Sequence, residues 1–157
     1  ISNGTRVGGY ITAEKSASAY KRPGASTFGG NPVTSVSALA TLDVISKYNL
    51  VDNAKMMGEY LKEKLKVLQE KHTLIGDVRG RGLMLGAELV NQGKEPAVEE
   101  TDTILEYMKD KGVLIGKTGA NRNVLTFQPS LIITEDNIDE LVDVLDGALC
   151  YVEKCNE

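Results

Sequence analysis
The sequence is poor in the side chains that most catalytic centres lean on. A single histidine, His72, leaves no His-based metal set and no Ser/His/Asp triad with a spare base. It reads as a solvated residue near a helix end. Cysteine is nearly as scarce. Cys150 and Cys155 stand five apart in what reads as the final helix, an interval that puts them on different faces. A bridge is therefore not expected, and reduced thiols fit a cytosolic protein. Surplus basic charge is missing too: 18 Lys and Arg against 22 Asp and Glu give a net charge of −4. Phosphate neutralisation needs excess cations, so a general nucleic-acid binder is excluded. No apolar run approaches the roughly 18 residues that a membrane span requires. Ile1-Ser2-Asn3-Gly4 shows neither the basic start nor the apolar stretch of a signal peptide.

What is present is ordinary globular material, with 41% hydrophobic and 25% charged residues in 157. A chain of this length buries roughly 70% of the surface its unfolded form exposes, enough to need no disulfide or metal staple. Its 16 glycines exceed the usual share of about 7% and cluster, which points to turns and close backbone approaches.

Along the chain, Val7 to Thr12 reads as a short strand and Ala13 to Tyr20 as a short helix or turn. Lys21-Arg22-Pro23-Gly24 is a breaker cluster. Asn31 and Pro32 suit the N-cap and first position of a helix that carries Val33, Val36, Leu39, Ala40, Leu42 and Ile45. It is expected to be largely buried and to end near Tyr48-Asn49. A second helix, 51–71, has the stripe Ala54, Met57, Leu61, Leu65, Leu68. Ile75 to Arg81 and Leu83 to Val90 alternate as two strands around a tight turn. After a polar loop, a helix over 97–111 packs through Val98, Ile104, Leu105 and Met108. Val113 to Ile115 and Val124 to Phe127 read as short strands flanking a polar loop. Thr134 caps a last helix whose Ile138, Leu141, Val142, Leu145, Leu149 and Val152 form the clearest amphipathic pattern in the chain. From residue 50 onward this is an α+β layer, helices on one side of a mostly antiparallel sheet.

The best candidate for a site is the run Ala25 to Pro32. Hydroxyls at Ser26 and Thr27, two glycines and the N–H groups of a helix start are the parts of an anion cradle. The same residues also suit a plain turn in which the Ser-Thr pair caps the helix.

Ser26-Thr27-Phe28-Gly29-Gly30-Asn31-Pro32 resembles the STFGGNP signature of class III pyridoxal-phosphate aminotransferases. Val78-Arg79-Gly80-Arg81-Gly82-Leu83-Met84 resembles their VRGxGLM motif, and Gly112 to Gly116 with Pro129 to Thr134 resembles their C-terminal ending. Ser2-Asn3-Gly4 to Gly8-Gly9 is similar to the stretch after the family's Schiff-base lysine. The resemblance covers essentially all of the chain. It implies the end of a fold-type I large domain over 1–49, with a linking helix, and the small C-terminal α+β domain over 50–157. An α/β part is thus followed by an α+β part.

The resemblance also implies pyridoxal 5′-phosphate as cofactor, a homodimer, a cytoplasmic enzyme and the N-terminal remainder of the same enzyme as a partner. Thr27 would reach across the dimer interface to the partner's cofactor phosphate, with Ser26 beside it. The Schiff-base lysine would lie upstream of Ile1, so no catalytic lysine is assigned here; Lys15, Lys21 and Lys117 read as solvated surface charges. The family's usual Phe-Pro after Asn-Gly is Thr5-Arg6 here. Many members that bind an α-carboxylate carry arginine where this chain has Thr126, in Thr126-Phe127-Gln128-Pro129-Ser130-Leu131. That weighs against an ornithine or acetylornithine donor. It favours an ω-amino acid, such as 4-aminobutyrate or β-alanine, or an alanine-type donor, with a 2-oxo acid as acceptor. Arg122 is the candidate movable contact for a substrate carboxylate, or else a solvent-facing loop residue. Arg79 either faces the substrate or pairs with a backbone or acidic group. A racemase, epimerase or lyase on the same scaffold stays open, and so, from the topology after residue 50 alone, does a non-catalytic dimerisation module.

Overall fold
The computed structural model describes residues 4–9, 11–21, 24 and 26–155, the side chains of 154 and 155 apart. Ser2-Asn3 of the opening, Tyr10 of the expected first strand, Arg22-Pro23 of the breaker cluster, Ala25 before the hydroxyl pair and the Cys155 side chain lie outside the described residues. The chain divides into two compact units, Ile1–Leu50 and Val51–Glu157. No helix among the described residues is long and apolar enough to cross a membrane.

The first unit contains α1 (Glu14–Ala17), a single turn, and α2 (Pro32–Lys47). The expected strand at Val7 to Thr12 is not formed: its described residues enter no ladder. A strand exists only by exchanging N–H and C=O bonds with a neighbour, and the first unit holds no strand among its described residues. The expectation of a largely buried α2 is also corrected. None of its residues is buried, and Val33, Val36, Leu39 and Leu42 are all exposed. Their apolar character calls for a cover that this unit does not supply. The helix closes at Tyr48, and Asn49 follows at φ 50°, the left-handed conformation that Asn accepts more readily than most residues.

In the second unit, α3 (Leu50–Lys71) leads to β1 (Ile75–Arg81), β2 (Met84–Leu89), α4 (Val98–Asp110), β3 (Gly116–Thr118), β4 (Val124–Phe127) and α5 (Glu135–Cys155). The four strands form one antiparallel sheet in the order β1-β2-β4-β3. Directly opposed residues share a face, so the pairs Leu85↔Phe127 and Ala87↔Leu125 put one buried row over the core. Against it pack Leu61, Leu65 and Leu68 of α3, Ile104 and Met108 of α4, and Ile138, Leu145 and Leu149 of α5. Each of these came from a stripe at helical spacing. Val98 is the exception in α4, half-exposed, and the buried position there is Thr101, whose hydroxyl donates to the Ala97 carbonyl at 2.6 Å.

Val113 to Ile115 is not a strand. The Val113 N–H bonds the Met108 carbonyl at 2.9 Å, with Gly112 at φ 85°, so this segment closes the C-terminus of α4. The ladder begins three residues later, at Gly116. Thr134 does cap α5. Its hydroxyl accepts from the Asn137 N–H at 3.4 Å, and the Asn137 side chain accepts in return from the Thr134 N–H and hydroxyl, a reciprocal arrangement at the helix start.

Candidate functional site
In the first unit, residues 26–30 fold as a turn. The Gly29 N–H bonds the Ser26 carbonyl at 3.2 Å, and Gly30 sits at φ 73°, a value that favours glycine. A Cβ on Gly29 would stand 2.9 Å from the Ser26 Cβ, so glycine there lets the hydroxyl-bearing residue close in. Asn31 then organises both sides of the junction. Its side-chain amide donates to the Phe28 carbonyl at 2.9 Å, and its oxygen accepts from the Thr34 N–H at 3.0 Å.

Asn31 is thus the cap of α2, and the alternative in which Ser26 and Thr27 do that work is not what the structure holds. Both hydroxyl residues are exposed. A hydroxyl pair beside two glycines at the N-terminus of a 16-residue helix suits a phosphate dianion, which accepts from O–H and N–H donors and gains from the helix dipole. No lysine is needed in such a cradle.

In the second unit, the sheet face opposite the core carries the other motif residues. The register Arg79↔Gly86, Gly86↔Thr126 and Gly116↔Thr126 places Arg79, Gly86, Thr126 and Gly116 in one row across all four strands. Two of the four are glycines, so the row is open between Arg79 and Thr126. Arg79 is tied within this face. Its guanidinium meets Asp77 at 2.8 Å and Glu88 at 2.6 Å, and these two carboxylates hold its pKa above the ordinary arginine value. Of the two readings of Arg79, pairing with acidic groups is the one observed.

At the β3 end of the row a Cβ on Gly116 would stand only 2.9 Å from the Thr126 hydroxyl oxygen. A cavity of about 290 Å³ opens beside it, lined by Leu114, Ile115, Gly116, Thr126, Gln128 and Leu141 among others. Among the described residues no cationic side chain lines this cavity.

Arg122 is elsewhere. It sits at the tip of the β3–β4 hairpin with φ 58°, its N–H bonded to the Gly119 carbonyl at 3.1 Å. Four strand positions separate it from Thr126, roughly 13 Å at about 3.3 Å per residue. The structure does not bring Arg122 and Thr126 to one pocket. Lys117, expected as a solvated charge, has only 15% of its side chain exposed and pairs with Asp102. Burial and the nearby charge of Arg122 pull its pKa below the usual lysine value. The correction follows from α4, which presents Asp102 toward the hairpin.

His72 also departs from the sequence reading. It is 2% exposed, with Nδ1 2.6 Å from Glu153 and Nε2 2.7 Å from Asp146. The available signal was on α5: Asp146, Cys150 and Glu153 recur at intervals of four and three, one face of a helix.

The chain matches the family model described as aminotransferase class-III over residues 1–149. It is 50% identical over 152 residues to alanine–glyoxylate aminotransferase 2 homolog 2, mitochondrial, of Arabidopsis thaliana, a match covering 95% of this chain and 32% of that protein. It is 44% identical over 136 residues to taurine–pyruvate aminotransferase of Bilophila wadsworthia, covering 82% of this chain and 30% of the relative. Among solved structures, an S-selective transaminase from Arthrobacter sp. superposes with a TM-score of 0.78 at 36% identity, over 89% of this chain and 33% of that one. The chain thus spans about a third of the length of the relatives it matches.

Proposed function
The chain belongs to the class-III aminotransferase family, and we propose that it is the C-terminal part of a pyridoxal-phosphate enzyme that moves an amino group from an amino acid to a 2-oxo acid. The observation that carries this reading is the division of labour before α2. Asn31 alone caps the helix, which leaves the exposed Ser26 and Thr27 hydroxyls for an anion. Thr27 and Ser26 are the proposed phosphate contacts, Thr27 toward the cofactor of a second subunit in a homodimer. When bound, the cofactor acts as an electron sink for the bond broken at the amine-bearing carbon. This chain's residues hold and orient the phosphate. Charge-assisted bonds of that kind are worth about 1.5–3 kcal/mol each. The Schiff-base lysine is proposed to lie upstream of Ile1.

The donor is proposed to be an ω-amino acid or an alanine-type amino acid, with pyruvate, glyoxylate or 2-oxoglutarate as acceptor. Thr126 cannot make the two-pronged contact of an arginine with a carboxylate, and among the described residues no cation lines the cavity beside it. Relatives named for alanine–glyoxylate and taurine–pyruvate transfer support the same range, while a third relative, 37% identical, is named acetylornithine aminotransferase, so the donor panel decides between them. Arg122 is the proposed movable carboxylate contact at the hairpin tip. A reducing compartment, the cytoplasm, fits the free Cys150 thiol.

The test is a donor panel on the complete enzyme supplied with pyridoxal phosphate, compared by kcat/KM. Transfer from alanine, β-alanine, 4-aminobutyrate or taurine ahead of ornithine and acetylornithine is expected. Preference for ornithine or acetylornithine overturns the donor reading, and no transfer to any 2-oxo acid overturns the activity.

A further inference from the structure
The polar cluster at the junction of α3 and α5 has the parts of a metal centre. His72 follows the last residue of α3 and is 2% exposed. Its Nε2 lies 2.7 Å from the Asp146 Oδ1. The ligand atoms of His72, Asp146 and Cys150 all fall within 4.8 Å of one another. One nitrogen, one carboxylate oxygen and one sulfur are a donor set suited to a borderline-soft ion such as Zn²⁺. Asp146 and Cys150 stand four apart on α5, one turn, so a single helix face presents both.

The other side of the imidazole is what a metal-binding histidine requires. Nδ1 faces the Glu153 carboxylate at 2.6 Å, and the second Glu153 oxygen takes the Leu74 N–H at 3.4 Å. A carboxylate on Nδ1–H fixes the ring and leaves Nε2 to point at an ion. Lys71 and Glu153, which contact Asp146 and His72, line a cleft of about 470 Å³, and the fourth position of a tetrahedral ion is left to a water or other small ligand.

We propose that His72, Asp146 and Cys150 form a binding site for a soft divalent cation such as Zn²⁺, with Glu153 as the residue that positions the imidazole. Charge and protons balance. The ion takes the place of the proton on Nε2 and of the Cys150 thiol proton, and with one thiolate and one carboxylate the centre is neutral. The Lys71 ammonium, now 2.6 Å from Asp146, must leave that carboxylate for the cleft. The cluster is far in sequence from Ser26 and Thr27, and the site stands or falls independently of the aminotransferase reading.

The experiment titrates the complete protein with Cd²⁺, whose thiolate complexes absorb in the ultraviolet, and then displaces it with Zn²⁺. The parent is expected to develop the thiolate band, and Cys150→Ser to lose it. Cys150 is a free, half-buried thiol and serine is close to it in size, so this variant keeps the fold. Glu153→Gln is expected to keep the band but weaken Cd²⁺ binding about tenfold to a hundredfold. The same band and the same affinity in parent and Cys150→Ser overturn the site. Unchanged affinity in Glu153→Gln overturns the positioning role.

Discussion
Gly58 in α3 lies against the backbone of Gly82 in the β1–β2 turn so closely that a Cβ on residue 58 would stand 2.3 Å from the Gly82 carbonyl carbon and oxygen. The atoms it would meet are main chain and cannot rotate aside, and Gly82 itself holds φ 53°. Alanine is otherwise favoured over glycine within a helix by up to about 1 kcal/mol. Here overpacking, typically about 1–3 kcal/mol, outweighs that gain. Gly58→Ala is expected to lower the stability of the second unit by about 1–3 kcal/mol in urea unfolding. An equal or higher midpoint would mean that the turn yields freely.

Asn31 closes the start of α2 through Thr34 and holds the preceding turn through Phe28. Replacing an N-cap asparagine with alanine costs about 0.5–2 kcal/mol. Asn31→Ala is therefore expected to raise amide exchange in the first turn of α2 and to loosen the 26–30 turn with it. Unchanged exchange would show that another group caps the helix.

Asp146 gives the chain an acid-sensitive contact. The hydrogen bond from His72, then the one from Lys71, hold its carboxyl below the ordinary value of 3.8. A group whose folded pKa is depressed stabilises the fold above its unfolded pKa, and that contribution is lost as pH falls through the folded value. Asp146→Asn is expected to cost about 1–3 kcal/mol near neutral pH. It should also flatten the decline in stability as pH falls below the ordinary carboxyl value of 3.8. An unchanged acid limb in urea midpoints would remove Asp146 from the account.

At the hairpin tip, Arg122→Ala is expected to lower kcat/KM for a carboxylate-bearing donor by about tenfold, near 1.4 kcal/mol. Its effect on an amine without a carboxylate should be slight. A drop under about threefold for both leaves Arg122 as a surface residue.

Most of the second unit was legible because its helices carry one-sided apolar stripes. Leu61, Leu65 and Leu68, or Ile138 to Val152, announce their faces by spacing alone. The failures at His72 and Lys117 share a cause, a partner on another element, whereas the one at Val113 is local. His72 is buried because α5 brings Asp146 and Glu153 to it, from 74 and 81 residues away. Lys117 is covered because α4 offers Asp102. Val113 lost its strand to a backbone bond that closes α4. At the candidate site, the glycines and hydroxyls of residues 26–30 were visible as a motif. Asn31 and Pro32 were legible there as the start of α2, and the Asn31 side chain does accept from the Thr34 N–H; what the hydrogen bonds added is that Ser26 and Thr27 take no part in that cap.

The proposed phosphate cradle is tested most directly by the affinity of the complete enzyme for pyridoxal phosphate with Thr27 replaced by alanine. Loss of one charge-assisted contact of about 1.5–3 kcal/mol raises the dissociation constant about tenfold to a hundredfold. An unchanged dissociation constant would contradict the account and leave residues 26–30 as a turn that serves only the start of α2.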